Sequence, residues 1–379
     1  MMKVMIVLNT AWNLVNFRAG LIRSLVADGH EVVAVAPYDN YASRLADLGC
    51  RFVALPMDNK GTHPGRDLLL FLRFISLLYR EKPDVYLGYT IKPNIYGSLA
   101  SHVLGIPVVN NIAGLGTVFI RDNLLTLLVR GLYKAAMSGS RHVFFQNNED
   151  LGLFVEKGLV SADKVSRLPG SGINLETFVC TPALPSGNRP FCFLLVARLL
   201  WDKGVGEYVE AARLIRNQYP TARFQMLGFL DVQNKTAVST EQMDEWVKEG
   251  IVEYLGVADD VKPYLAAADC VVLPSYREGV PRSLLEAAAM GRSIVTTDTV
   301  GCRDAVENGV SGLFCRVADA HDLAEKMQTM LELTDSVRAD MGLAGRRKME
   351  LEFDEKIVIG RYRQVLDEVA ALIATADKG

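Results

Sequence analysis

The stretch REGVPRSLLEAAAMG, residues 277–291, carries two carboxylates, Glu278 and Glu286, with seven residues between them. Pro281 suits the first position of a helix, where its missing N–H costs nothing. SLLEAAAM then continues as helix and stops at Gly291. The unpaired amides around Gly279, Val280, Pro281 and Arg282 can hydrogen-bond an anion or sugar oxygens. An acid near a helix start can simply offset the macrodipole, which accounts for Glu278. It does not account for Glu286, because a carboxylate inside LLEAAA packs poorly. A carboxylate that accepts from two vicinal hydroxyls, such as those of ribose or a hexose, does account for it.

A second pair lies in VARLLWDKGV. The guanidinium of Arg198 is a planar fork and the ammonium of Lys203 a point charge, and a helix begins just beyond them at Gly204. That combination suits a diphosphate. A third group lies in NTAWNLVNFR, where Asn13, Asn16 and Arg18 would occupy a loop after the first strand. Arg18 could meet a phosphate bidentately, and Trp12 offers an apolar wall.

These residues need a scaffold, and the apolar pattern supplies one. KVMIVLN, HEVVAVAP, CRFVALP, PDVYLGY, IPVVNNI and RHVFFQN read as strands separated by helical segments. Their near-continuous apolar character fits strands buried on both faces of a parallel sheet. TPALPSGNRP, residues 181–190, has three prolines and no apolar period, so it reads as a linker. The alternation then restarts with FCFLLVARL, ARFQMLGFL, IVEYLGV, DCVVLPS, SIVTTD and GLFCRV. The expectation is an α/β chain of two Rossmann-like domains, residues 1–185 and 186–354, facing across a cleft. A final helix at about 355–379 packs back on the first domain. Ligands of open α/β sheets bind at the carboxyl ends of the strands. Asn13, Asn16, Arg18, Arg198, Lys203 and Glu278 would sit at such ends, and Glu286 on the helix that follows one.

Composition removes several classes. At 379 residues the chain exceeds one typical core. No apolar run is long enough for a spanning helix, and the N-terminal MMKVMIVLNTAWN reads as a strand rather than a signal peptide. The six cysteines include no C-x-x-C pair and sit mostly in apolar runs, as buried thiols in a reducing compartment do. No Asp-x-Asp and no histidine pair at ligand spacing indicates a metal site, and no cofactor is expected. Neither half opens with G-x-G-x-x-G, which disfavours an NAD enzyme. Residues 1–185 carry 18 Lys+Arg against 14 Asp+Glu, and the remainder 23 against 30. That is too weak for nucleic acid but compatible with an anionic lipid surface.

The Glu–seven residues–Glu pattern, together with VARLLWDKG, GSGINLETF, LGVADDV and TVGCRDAVENGVSGLF, resembles the retaining glycosyltransferases of family 4, which have the GT-B fold. NTAWNLVNFR, TIKPNIYGSLAS and NNIAGLGTVF are similar to enzymes that add a hexose or N-acetylhexosamine to an undecaprenyl-diphosphate-linked sugar in bacterial glycan assembly. The resemblance implies a nucleotide sugar donor, with UDP as the expected nucleotide, and a lipid-linked glycan acceptor. Arg198 and Lys203 would hold the donor diphosphate, Glu286 the ribose hydroxyls, and Glu278 the sugar ring beside the backbone of Gly279, Val280, Pro281 and Arg282. Val257 would meet the base, and Asn16, Arg18 and Asn111 would lie on the acceptor or phosphate side. The implied location is the cytoplasm, at the inner face of the plasma membrane. Many members carry a histidine where this chain has Ala113, and an aspartate where it has Asn174.

Retention with no evident carboxylate nucleophile implies front-face transfer, in which the departing phosphate takes the acceptor proton. Two other classes stay open: a nucleotide-sugar epimerase of the same fold, and a non-catalytic nucleotide-sugar-binding protein. RDLLLFLRFISLLYREK and RDNLLTLLVRGLYKAAMSGSR are apolar helices with interspersed Arg and Lys. They would cover the first sheet or lie in a membrane interface.

Overall fold

The computed structural model describes residues 1–58, 63–114, 124–182, 185, 187, 189–230, 234 and 236–376. The chain folds as two compact units, Met1–Ser171 with Glu355–Gly379, and Gly172–Asp354.

The first unit is built from β1 (Lys3–Val7), α1 (Ala11–Phe17), α2 (Ala19–Ala27), β2 (Glu31–Ala36), β3 (Arg51–Ala54), α3 (Pro64–Glu81), β4 (Val85–Tyr89), α4 (Ser98–Val103), β5 (Val108–Ile112), α5 (Leu124–Ser138), β6 (His142–Phe145), α6 (Asn148–Glu156) and β7 (Val165–Arg167). The seven strands form one sheet in the order β3-β2-β1-β4-β5-β6-β7, with every pairing parallel. Val4, Met5, Ile6 and Val7 are fully buried, because helices cover both faces of a parallel sheet.

The second unit holds β8 (Cys192–Val196), α7 (Val205–Arg216), β9 (Arg223–Leu227), α8 (Thr240–Lys248), β10 (Glu253–Tyr254), α9 (Lys262–Ala267), β11 (Cys270–Leu273), α10 (Arg282–Ala289), β12 (Ser293–Thr297), α11 (Cys302–Ala305), β13 (Leu313–Cys315), α12 (Ala320–Glu332) and α13 (Asp335–Lys348). Its sheet is again parallel, in the order β10-β9-β8-β11-β12-β13. In both sheets the strand order reverses beside the first strand, between β1 and β4 and between β8 and β11. Such a reversal opens a crevice at the carboxyl ends of the strands.

The last helix, α14 (Glu355–Ala376), joins the first unit as expected. Val358, Tyr362, Val365, Leu366 and Val369 bury against Leu21, Ile22 and Leu25 of α2. The domain boundary falls earlier than the expected 185/186. Ile173 donates its amide to Phe353 O at 2.7 Å and is fully buried with Phe178 in the core of the second unit. The Arg292 guanidinium then grips Thr181, through its carbonyl and its hydroxyl, and Pro182 O at 3.2 Å. Residues 172–182 therefore belong to the second unit, and residues 183, 184, 186 and 188 of the proline-rich stretch lie outside the described set.

NTAWNLVNFR is also not a loop. Thr10 caps α1 by accepting the Asn13 amide at 3.1 Å, and Ala11 and Leu14 pack inward. Five of the cysteines are buried and Cys180 is half-buried; all six are free. Burial pushes the Cys50 thiol up to about 11.

Candidate active site

The second unit assembles Arg198, Lys203 and Glu278 around the β8/β11 crevice. Arg198 follows β8, Lys203 ends the turn Trp201–Lys203 before α7, and Glu278 lies in the loop after β11. Gly204 holds φ +72°, and a Cβ there would press into the backbone of Pro274. Only glycine lets the two loops approach this closely.

The loop that carries Glu278 is pinned on two sides. The Tyr276 amide donates to Asp202 O at 3.0 Å, and the Tyr276 hydroxyl donates to Glu207 of α7 at 2.6 Å. On the other side the Glu278 amide donates to Val300 O at 3.2 Å, and Thr299 Oγ1 donates to Tyr276 O at 3.0 Å. Gly301, at φ +81°, packs its Cα against the carbonyls of Glu278 and Gly279; a Cβ would lie 2.7 Å from Glu278 O.

The charges divide unequally. Lys203 Nζ is ion-paired with Glu278, and both side chains are about six-sevenths buried, at 15% and 14% exposure. Arg198 is exposed, and its side chain makes no hydrogen bond or ion pair among the described residues. One cation thus stands ready for an anion while the other is shared with a carboxylate.

Pro281 is the N-cap of α10, not its first helical residue as the sequence suggested; its ψ of 110° keeps it outside the helix. The amides of Gly279 and Val280 donate no hydrogen bond among the described residues. Glu286, one turn into α10, accepts from Arg282 Nε at 2.9 Å. Burial raises the Glu286 carboxyl above its ordinary value, and Arg282 opposes that rise. Arg282 was expected to contribute its backbone, so this pairing adds a side-chain role. Val257 is exposed after β10. Asn174 closes its own turn, accepting the amides of Glu176 at 3.0 Å and Thr177 at 2.6 Å, as an aspartate would.

In the first unit the expected residues separate. Asn16 spends its Nδ2 on Trp12 O at 2.9 Å within α1. Arg18 and Asn111 instead share a buried cluster with two residues the sequence did not single out, Tyr89 at the end of β4 and Tyr362 of α14. Arg18 lies 4.4 Å over the Tyr89 ring, and Asn111 Nδ2 donates to the Tyr362 hydroxyl at 3.0 Å. Ala113 is exposed just past β5. Residues 115–119 of NNIAGLGTVF lie outside the described set.

Known proteins resemble this chain in sequence and in fold. Residues 16–170 match the family model described as "Glycosyl transferase 4-like domain", and residues 190–333 match "Glycosyl transferases group 1". The chain is 30% identical over 371 residues to the N,N'-diacetylbacillosaminyl-diphospho-undecaprenol alpha-1,3-N-acetylgalactosaminyltransferase of Campylobacter jejuni, covering 93% of this chain and 95% of that one. It is 26% identical over 283 residues, 71% of each, to the UDP-Gal:alpha-D-GlcNAc-diphosphoundecaprenol alpha-1,3-galactosyltransferase of Escherichia coli. Among solved structures, Anabaena HepE in complex with UDP and glucose superposes with a TM-score of 0.78 at 17% identity, covering 97% of this chain and 100% of that one. Sucrose-phosphate synthase from Thermosynechococcus elongatus superposes equally well, at 0.78 and 17% identity over 98% and 100%. Two parallel-sheet units, both family models along one chain and a relative 30% identical over 93% of it make this protein a member of the family-4 glycosyltransferases of GT-B fold.

Proposed function

We propose that the protein transfers a hexose or N-acetylhexosamine, with retention, from a UDP-sugar to a lipid-diphosphate-linked glycan in bacterial surface polysaccharide assembly. The observation that carries the reading is the grouping of Arg198, Lys203 and Glu278 around one crevice, with Glu286 on the helix that follows. The C. jejuni and E. coli relatives, both named for transfer to undecaprenyl-diphosphate glycans, support the acceptor class. HepE, solved with UDP, supports the nucleotide.

In this mechanism Arg198 receives the donor diphosphate and Lys203 turns from Glu278 to share the load. Glu286 accepts the two ribose hydroxyls, and the amides of Gly279 and Val280 meet sugar or phosphate oxygens. Val257 offers its backbone to the base. Glu278, released from Lys203, lies against the donor ring. As the bond from the anomeric carbon to the phosphate oxygen breaks, the two cations stabilise the negative charge that develops there; such preorganised charge is usually the largest catalytic term. The acceptor hydroxyl attacks from the face the diphosphate leaves, and the departing phosphate oxygen takes its proton. Arg198 and Lys203 supply the charge neutralisation, so the reaction is metal-independent and a chelator leaves the rate unchanged.

The test pairs radiolabelled UDP-sugars with a lipid-diphosphate disaccharide. Labelled lipid product of retained anomeric configuration supports the reading. An altered nucleotide sugar formed without acceptor would instead identify an epimerase, and binding without turnover a non-catalytic protein.

The acceptor class and the surface of α3 support a peripheral site on the cytoplasmic face of the plasma membrane. That helix buries Leu70, Phe74, Leu77 and Leu78 against the sheet and turns Leu68, Leu69, Leu72 and Tyr79 outward. Arg66, Arg73 and Arg80 recur at seven-residue spacing, which keeps them on one side of the helix. No described helix is long and apolar enough to cross a membrane. Exposed leucines beside arginines suit an interfacial helix on anionic lipid. Flotation with phosphatidylglycerol vesicles at low salt, lost in Leu69→Asp/Leu72→Asp, supports the docking; equal flotation of both proteins removes α3 from it.

A further inference from the structure

Two neighbouring asparagines of β5 are treated differently by the first unit. Asn110 is satisfied in full: Nδ2 donates to Asn94 Oδ1 at 3.0 Å and Ser98 Oγ at 2.8 Å, and Oδ1 accepts from Ser140 Oγ at 2.6 Å. Asn111 points to the opposite face of the sheet. It donates Nδ2 to Tyr362 but leaves Oδ1 buried without a partner. A fold that saturates one amide and leaves its neighbour open has placed an acceptor there for something else.

Arg18 shows the same incompleteness with the opposite polarity. It is 5% exposed, yet among the described residues it pairs with no carboxylate. Its side-chain hydrogen bond runs from Nη1 to Phe17 O at 3.2 Å, and Nε is buried without an acceptor. The nearby Glu355 carboxylate fills the space beside Gly20 at the start of α2 rather than pairing with Arg18. The Tyr89 ring returns part of the desolvation cost through its π face. The rest stays uncompensated, and an unpaired buried cation is costly. Burial raises both Tyr89 and Tyr362, so the phenols stay neutral and provide no counter-charge.

The open groups, Arg18 Nε, the Tyr89 hydroxyl and Asn111 Oδ1, thus ask for an anionic oxygen and a hydroxyl on one ligand. A glycosyl phosphate presents both within a single moiety. We propose that Arg18, Tyr89, Asn111 and Tyr362 form a glycosyl-phosphate subsite of the first unit, in which Tyr362 is a positioning residue. Arg18 takes the phosphate and Asn111 Oδ1 a sugar hydroxyl. Tyr362 holds the Asn111 amide, and Tyr89 supports the guanidinium face. Arg18 meets the ligand first, through its exposed remainder. Asn111 Oδ1 becomes reachable as the ligand draws Arg18 from the Tyr89 ring. The ligand class rests on the transfer reading above, where the glycosyl diphosphate of the acceptor and that of the donor share this chemistry.

The test uses the full chain and N-acetylglucosamine 1-phosphate as probe, with inorganic phosphate and free N-acetylglucosamine as controls, by titration calorimetry. The expected result is tighter binding of the probe than of either control, weakened about tenfold in Tyr362→Phe and in Asn111→Leu, the loss of one hydrogen bond each. Arg18→Lys, which keeps the charge without the fork, weakens the probe and the phosphate control together, and it serves where Arg18→Met does not fold. In steady-state transfer, a Tyr362→Phe rise in KM for the lipid-linked acceptor alone assigns the subsite to the acceptor, and a rise in donor KM alone assigns it to the donor. Unchanged probe binding in Tyr362→Phe and Asn111→Leu overturns the proposal, as does a loss of kcat and thermal stability with both KM values unmoved. If no lipid-diphosphate is ever glycosylated, the transfer reading fails while probe binding still decides the subsite.

Discussion

Replacing Arg198 and Lys203 by alanine, one at a time, separates catalysis from stability at the candidate active site. Arg198 is exposed with no side-chain partner among the described residues, so Arg198→Ala should leave stability within about 0.5 kcal/mol of wild type. Lys203→Ala strands the Glu278 carboxylate, whose side chain is only 14% exposed. Breaking a fully buried pair costs roughly 3–5 kcal/mol and a surface pair about 0–1 kcal/mol. A pair at this depth falls between, at about 1–3 kcal/mol, and in a unit of this size each kcal/mol lowers Tm by about 2–4 °C. Both variants should lose on the order of 10²–10³ in kcat, as enzymes do when a donor to developing charge is removed. The double variant Lys203→Ala/Glu278→Gln removes both charges and should regain most of the stability while transfer stays lost. Differential scanning calorimetry and single-turnover transfer measure the two axes independently. Near-normal transfer by Arg198→Ala would refute its diphosphate role, and a Lys203→Ala protein as stable as wild type would refute the coupling to Glu278.

Glu286→Gln tests the helix carboxylate. Burial raises the Glu286 pKa in the folded chain, against the pull of Arg282 and with Asp260 adding to the rise, so the ionised carboxylate is a destabilising contribution. That contribution is present in full above the folded pKa and is relieved as pH falls through it toward the unfolded value. The variant should therefore melt at or above the wild-type temperature in mildly alkaline buffer, with the gap closing in acid, while donor affinity falls about tenfold or more. A wild-type advantage that grows with pH would contradict the sign. Gly301→Ala should push the Glu278–Gly279 carbonyls aside and strain a backbone at φ +81°, costing roughly 1–3 kcal/mol from strain alone. Donor binding, read by a thermal-shift response to UDP-sugars, should be lost in Gly301→Ala; a full response would show that Gly301 does not set the loop. Tyr276→Phe removes the hydroxyl that reaches Glu207 and should cost about 0.5–1.5 kcal/mol with little change in kcat, checked by the same melting and transfer assays.

The central strands were legible because they are buried on both faces and must be apolar throughout, as Val4–Val7 and Val271–Leu273 are, whereas the half-buried edge strand β7 carries no such signal in Val165–Arg167. The strand–loop–helix turn at residues 273–289 was legible because glycine, proline and two glutamates at fixed offsets leave few alternatives. The helix α1 was not, because only Ala11 and Leu14 face inward and its main signal is one threonine cap. The Arg282–Glu286 pair sits at i,i+4 helical spacing, but the sequence leaves Arg282 an equally good role through its backbone at the helix start. Tyr362 could not be found by any local pattern, since its partner Asn111 is 251 positions away. The boundary at 185/186 failed for a similar reason: composition marks the proline-rich run, but the grip of Arg292 on Thr181 is tertiary.

The return of the chain to its first unit has a consequence for biosynthesis. On a ribosome, residues 172–354 emerge as one uninterrupted run and can close their own core, with Ile173 meeting Phe353 once both are out. The first unit has no such freedom. Leu21, Ile22 and Leu25 precede the second unit in the chain but lack part of their packing until Val358, Tyr362 and Leu366 follow it. The first unit is thus completed only after the second has been made. A chain that stops before α14 would expose apolar surface on α2 and lack the tyrosine that holds Asn111.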